Sequence, residues 1–209
     1  MKATFTTLIL LTACLRGFAQ QRSADDLTVI NRTASINNDG TAPVIHLNAE
    51  EGAGIAWIKG VTFTKGSIEV DIKGKDVLQQ SFVGIALHGT SGNSYEAIYF
   101  RPFNFRSADP VRKSHAVQYI AIPGYDWQKL RTEHPGQYEK AVVPVPDPNR
   151  WFHARIEADG TTIRVYVNHN TSPSLTVTEP VQTGGTMIGY WAGNYSDGNW
   201  KNLEIKFGK

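Results

Sequence analysis

The chain has 209 residues, 41% of them hydrophobic, enough for one domain with a sizeable core. Its 21 basic residues stand against 19 acidic ones, so no charge excess suits nucleic acid or an anionic membrane surface. One cysteine excludes an internal disulfide framework and a thiolate metal cluster.

The opening stretch MKATFTTLILLTACLRGFAQQ has the parts of an export signal: Lys2, an apolar run from Phe5 to Leu15, and Gly17-Phe18-Ala19 as a small-x-small cleavage site. The apolar run is too short to span a bilayer, and no other segment qualifies as transmembrane. Leu11-Thr12-Ala13-Cys14 also resembles a bacterial lipobox, but the following Leu15, Arg16, Gly17 and Phe18 lack the polarity of a lipoprotein tether. The expectation is a signal peptide over 1–19 and a secreted or periplasmic product, with lipid anchoring through Cys14 as the alternative. Cleavage takes Lys2 and Arg16 with it, leaving 19 basic against 19 acidic residues.

After a lead-in over 20–41, one domain is expected over 42–209, reading as strands almost throughout. Val44–Asn48 and Gly54–Ile58 come first. Gly66–Gly74 alternates, with Ile68, Val70 and Ile72 on one face and Glu69, Asp71 and Lys73 on the other. Further strands are expected at Phe82–His88, Glu96–Arg101, His115–Ile122, Trp151–Glu157, Ile163–Asn168, Ser174–Thr178, Met187–Trp191 and Leu203–Phe207. Asp159-Gly160 supplies the positive backbone dihedrals of a tight hairpin. Many short strands separated by turns predict an all-β fold, a two-sheet antiparallel jelly-roll sandwich.

Two connections, Pro102–Ser114 and Pro123–Arg150, exceed simple turns. In the second, Asp126 can cap a short helix over Trp127–Arg131. Phe103, Phe105, Tyr125, Trp127 and Tyr138 lie in these insertions, where rings either stack on a ligand or anchor a loop. Glu96–Arg101 places Tyr99 and Arg101 on one face, and His115–Ile122 separates Gln118 and Ile120 from Val117 and Tyr119. Neighbouring strands would bring Arg101 and Gln118 together, with His115 or Tyr119 nearby. A planar guanidinium and an amide suit vicinal hydroxyls or a carboxylate. The expected ligand residues are Tyr99, Arg101, Asn104, His115, Gln118, Tyr119 and Trp127, and the expected partner is carbohydrate.

Glu69 and Asp71 stand about 6.5–7 Å apart by strand rise, near the separations of glycoside hydrolysis. With Glu96 they are the acid/base candidates if the protein hydrolyses sugar, while for the first two an ordinary solvated strand face is the stronger reading. No His spacing indicates a transition metal. No cofactor is expected; Asn194, Asp197 and Asn199 offer oxygens for a structural calcium, or simply form turns.

Glu69-Val70-Asp71 resembles the first half of the E-x-D-x-E strand of family 16 glycoside hydrolases, with Lys73 at the third acid position. In order, GSIEVDI, FVGIALH, YEAIYFR, HAVQYI, WFHARIE, IRVYVN, IGYWAG and NLEI resemble concanavalin A-like sandwiches. The resemblance is nearest to laminin-G-like and bacterial 3-keto-disaccharide hydrolase-type domains. In the latter an arginine ends one strand and an E-V-Q strand follows; Arg101 and Gln118 match those positions, and Ala116 replaces the glutamate. The resemblance implies a carbohydrate-facing concave sheet. The alternative is a non-catalytic adhesive module that binds another protein.

Overall fold

The computed structural model describes residues 23–40 and 42–208; the expected signal peptide over 1–19 and Cys14 lie outside them. A single 3-10 turn, Ala24–Asp26, leads into the strands β1 (Leu27–Ile30), β2 (Ala34–Asn38), β3 (Pro43–Leu47), β4 (Gly54–Ile58), β5 (Gly66–Lys73), β6 (Val83–Ser91) and β7 (Ser94–Phe100). Two short helices, α1 (Pro102–Phe105) and α2 (Pro110–Ser114), precede β8 (Val117–Ile122), and α3 (Trp127–Glu133) precedes β9 (Glu139–Lys140). The chain closes with β10 (Phe152–Asp159), β11 (Thr162–Val167), β12 (Leu175–Thr178), β13 (Met187–Ala192) and β14 (Gly198–Phe207).

These strands form two seven-stranded sheets, ordered β1-β4-β13-β6-β7-β8-β9 and β12-β11-β10-β5-β14-β3-β2. Every strand pairing is antiparallel, giving a two-sheet jelly-roll sandwich. The lead-in supplies β1 to the first sheet and β2 to the second. Gly160 has φ +62 between the paired Asp159 and Thr162, so the Asp-Gly hairpin forms where the sequence places it.

Alternation decides which residues fill the space between the sheets. Ile68, Val70 and Ile72 are buried there, and the T-shaped contact of Phe100 with Phe152 (4.9 Å) joins β7 to β10. Trp200 of β14 lies against Tyr190 of β13 and donates from Nε1 to the Gly84 carbonyl of β6 at 3.0 Å. Because Phe100 and Tyr190 point inward, Tyr99 and Trp191 point to the outer face of the first sheet.

The first insertion is anchored by its own rings. Phe105 is fully buried against Phe152 (5.3 Å), and Phe103 packs on Phe82 (5.4 Å). Asp109 caps α2 by accepting from the Val111 N–H at 2.8 Å, and Asp126 caps α3 by accepting from the Lys129 N–H at 2.8 Å. The predicted helix forms and extends to Glu133.

Candidate functional site

The register of the first sheet sets Ile55, Trp191, Gly84, Tyr99, Gln118 and Glu139 in one row across its outer face. Gly84 stands opposite Tyr99, where a Cβ would lie 2.8 Å from the Tyr99 Cβ. The bare backbone there lets the Tyr99 ring lie 4.8 Å from Trp191. Arg101 continues the same face past the end of β7.

Arg101 is 5% exposed, and its donors are well used. Nη2 donates to Tyr99 Oη at 2.8 Å and to Gln118 Oε1 at 3.1 Å; Nη1 donates to the His115 carbonyl at 2.8 Å. The guanidinium lies over the Tyr99 ring at 4.9 Å and the Phe82 ring at 5.7 Å. Burial draws its pKa below the ordinary value, with the neighbouring Tyr99 and Glu139 acting against that. Burial likewise raises the Tyr99 phenol, which stays protonated at neutral pH.

Glu139, 3% exposed, is the anion of the group. It accepts a bidentate pair from Arg131, Nε at 2.8 Å and Nη2 at 2.6 Å. His115 Nδ1 lies 2.8 Å from Glu139 Oε2, and Arg101 Nη1 lies 3.8 Å away. Burial lowers the His115 pKa more than Glu139 raises it, so the ring is neutral at pH 7. Arg131 in turn lies over Trp127 at 5.0 Å, and Trp127 is 45% exposed. A chain of planar groups therefore runs from Trp127 at the surface through Arg131, Glu139 and Arg101 to Tyr99 and Trp191. Asn104 sits beside it: its amide nitrogen donates to the His115 carbonyl at 3.4 Å, and its buried Oδ1 has no hydrogen-bond partner.

Of the expected ligand residues, Tyr99, Arg101, Asn104, His115 and Gln118 converge, with Trp127 joined through Arg131. Tyr119 faces the other way. It lies in the inward row with Ile98 and Ile85, and its hydroxyl donates to Glu96 Oε2 at 3.0 Å between the sheets. Glu139, Arg131 and Trp191 were not among the residues read from the sequence. Glu139 stands in a two-residue strand, too short for alternation to show. Arg131 follows Trp127 by four residues on a helix the sequence did predict, and that spacing was the available signal.

Glu69 and Asp71 meet on the outer face of the second sheet. His153 bridges them, Nδ1 to Asp71 Oδ1 at 3.0 Å and Nε2 to Glu69 Oε2 at 3.4 Å, and its ring stacks on His169 at 4.1 Å. Lys206 holds Glu69 at 3.0 Å, and Asn202 donates to Asp71 at 2.7 Å. The Lys206 hydrogen bond lowers the Glu69 pKa. Burial alone would raise Asp71, but the His153 and Asn202 hydrogen bonds outweigh it and the pKa falls. The Asp71 hydrogen bond raises His153. The raised histidine stabilises the fold below about pH 6.5, a gain lost as pH climbs through the folded-state value; the lowered carboxylates stabilise it above about pH 4, a gain lost on acidification. The difference in melting temperature between wild type and His153→Asn is expected to peak at about pH 5–6 and shrink above about pH 7. With the groups half open to solvent its size stays within about 1 kcal/mol. An NMR midpoint for His153 at or below that of a free histidine would contradict this.

The calcium candidates are spent separately. Asn194 Oδ1 accepts from the Gly52 N–H at 2.7 Å, Asp197 pairs with Lys75, and Asn199 Oδ1 meets His46 Nδ1 at 3.1 Å.

No protein-family model matches the chain, and no curated protein does. Solved structures do. The carbohydrate-binding module CBM66 from Bacillus subtilis superposes with a TM-score of 0.60 at 13% identity, over 86% of this chain and 95% of that one. The chain shares the two-sheet jelly-roll fold of that module. A protein of unknown function with a galectin-like fold, also from Bacillus subtilis, matches at TM-score 0.57 and 13% identity over 93% and 96% of the two chains. The exoplasmic/lumenal domain of VIP36, bound to calcium and Man3GlcNAc, matches at 0.54 and 13% over 90% and 86%. At these identities the shared property is the jelly roll itself, and any role for its outer face rests on the residues found there.

Proposed function

We propose that this is an exported carbohydrate-binding module whose ligand lies against the outer face of the first sheet, between α3 and the Pro102–Ser114 insertion. The observation that carries the reading is the continuous series Trp127–Arg131–Glu139–Arg101–Tyr99, in which a ring at each end brackets three charged planar groups. Sugars need exposed ring faces for their C–H edges and fixed donors and acceptors for their hydroxyls. Trp127 and Arg131 supply these at the open end of the series, and the buried Glu139, Arg101 and Tyr99 hold them in place. Beside the series the buried Asn104 Oδ1 is an acceptor that no protein group uses. CBM66 and VIP36, carbohydrate-bound or carbohydrate-binding proteins of the same fold, support the choice of ligand class.

Binding is favoured over hydrolysis by the state of the acids. Glu139 is held by the bidentate Arg131, with Arg101 at 3.8 Å and His115 Nδ1 at 2.8 Å beside it. Glu96 lies on the inward face, and Glu69 and Asp71 lie on the other sheet, bridged by His153. Among the described residues no helix is long and apolar enough to cross a membrane; export rests on the leader-like segment 1–19.

A glycan array followed by calorimetry tests the proposal. Trp127→Ala, at an exposed position, is expected to weaken binding about tenfold, the size of one lost stacking contact, with the melting temperature unchanged. Asn104→Ala should weaken it further. No glycan bound on the array, or a glycan whose affinity ignores both substitutions, overturns the site; the first outcome favours an adhesive module that contacts protein.

A further inference from the structure

At one end of the sandwich, between the sheets and away from the proposed sugar face, three Lewis-basic groups converge. His88 ends the regular part of β6, Glu96 stands on β7, and Glu179 follows β12 of the opposite sheet. Their ligand atoms all lie within 4.8 Å of one another. His88 Nδ1 is 3.1 Å from Glu96 Oε1 and 3.6 Å from Glu179 Oε1. These separations bracket the roughly 3.4 Å edge of a tetrahedron whose centre is about 2.1 Å from each ligand.

The surroundings prepare each group for a cation. His88 Nε2 lies 3.0 Å from the Thr64 carbonyl, which can only accept, so a cation that displaces the proton between Nδ1 and Glu96 Oε1 (3.1 Å) leaves Nε2 protonated and the Nδ1 lone pair turned to the ion. Phe63 stacks on the ring at 5.9 Å and fixes its plane. The second oxygen of Glu96 accepts from Tyr119 at 3.0 Å, as a ligating carboxylate's outer oxygen commonly does. The Glu179 side chain is 2% exposed, and its Oε1, turned toward His88, has no hydrogen-bond partner. Deprotonated as ligands, the neutral imidazole of His88 and the two carboxylates carry a charge of −2, matching a divalent ion.

We propose that His88, Glu96 and Glu179 form a binding site for a zinc-class divalent transition-metal ion that ties the two sheets together at this end. One imidazole and two carboxylates suit zinc or manganese, while three ligands fall short of the six to eight oxygens that calcium takes. The ion's role is structural: β6 and β7 belong to one sheet, and Glu179 is anchored to the other through β12.

The protein, dialysed against a chelator, is titrated with zinc or manganese by calorimetry and melted with and without the ion. Binding of one ion per chain is expected, with a raised melting temperature. Glu179→Gln should weaken it about tenfold or more, and His153→Asn should leave it unchanged. Manganese broadening of NMR signals locates the ion without any variant and is expected to centre on His88 and Glu96. Failure of the folded chain to bind either ion, or broadening centred on His153 and His169, overturns the proposal.

Discussion

Glu139→Gln is expected to destabilise the folded chain by about 3 kcal/mol, the low end of the cost of breaking a buried ion pair. The size follows from what the substitution leaves behind. Arg101 is enclosed by Tyr99, Phe82, Gln118 and the His115 carbonyl, all of them neutral, and Glu139 is the anion nearest to it at 3.8 Å. A glutamine can accept one hydrogen bond from Arg131 but cannot offset the charge of either guanidinium. Partial exposure of Arg131 keeps the cost from rising higher, since water can screen that partner. Denaturant unfolding should show a lower midpoint with an unchanged slope. A loss below about 1 kcal/mol would mean that the neutral partners alone satisfy Arg101. Glycan binding should weaken in the same variant, because Arg131 loses the bidentate partner that holds it over Trp127.

How much of this was legible depends on how local each signal is. The run Gly66–Lys73 alternates over eight residues, and its inward and outward faces can be read directly. The helix after Asp126 and the hairpin at Gly160 rest on residues within a few positions of one another. By contrast β1 and β2 are short edge strands, and β2 is largely exposed, so no run of apolar residues marks it. In the site, Arg101 and Gln118 could be paired because their strands are consecutive and alternation gives the face. The same alternation turns Tyr119 inward, one residue from Gln118 and on the opposite side of the sheet. Glu139 reaches the row only through β9, a strand set by the packing of the whole second insertion. Glu96 reads as one more polar residue in an alternating strand; its partners, His88 and Glu179, come from an adjacent strand and from the far sheet. A cluster assembled from such separations leaves no pattern in a window of the sequence.

The other large effect is expected in the core, and it separates folding from binding. Trp200 is fully buried, so Trp200→Ala should cost about 3–5 kcal/mol through lost transfer energy and the cavity left behind. Trp200→Phe keeps most of the apolar volume against Tyr190 but removes the Nε1 donor to the Gly84 carbonyl, which should cost about 1–3 kcal/mol. Both values can be read from denaturant midpoints. Gly84 lies directly under the Tyr99–Trp191 pair, yet Trp200 approaches it from the inner side. Trp200→Phe should therefore lower stability and leave glycan affinity unchanged, whereas Glu139→Gln should lower both. A folded Trp200→Phe protein that no longer binds would place the control of the outer row in the position of the β6 backbone. That outcome would make the core tryptophan a positioning residue for the site, since the spacing of Tyr99 over Gly84 would then depend on a hydrogen bond from the opposite sheet.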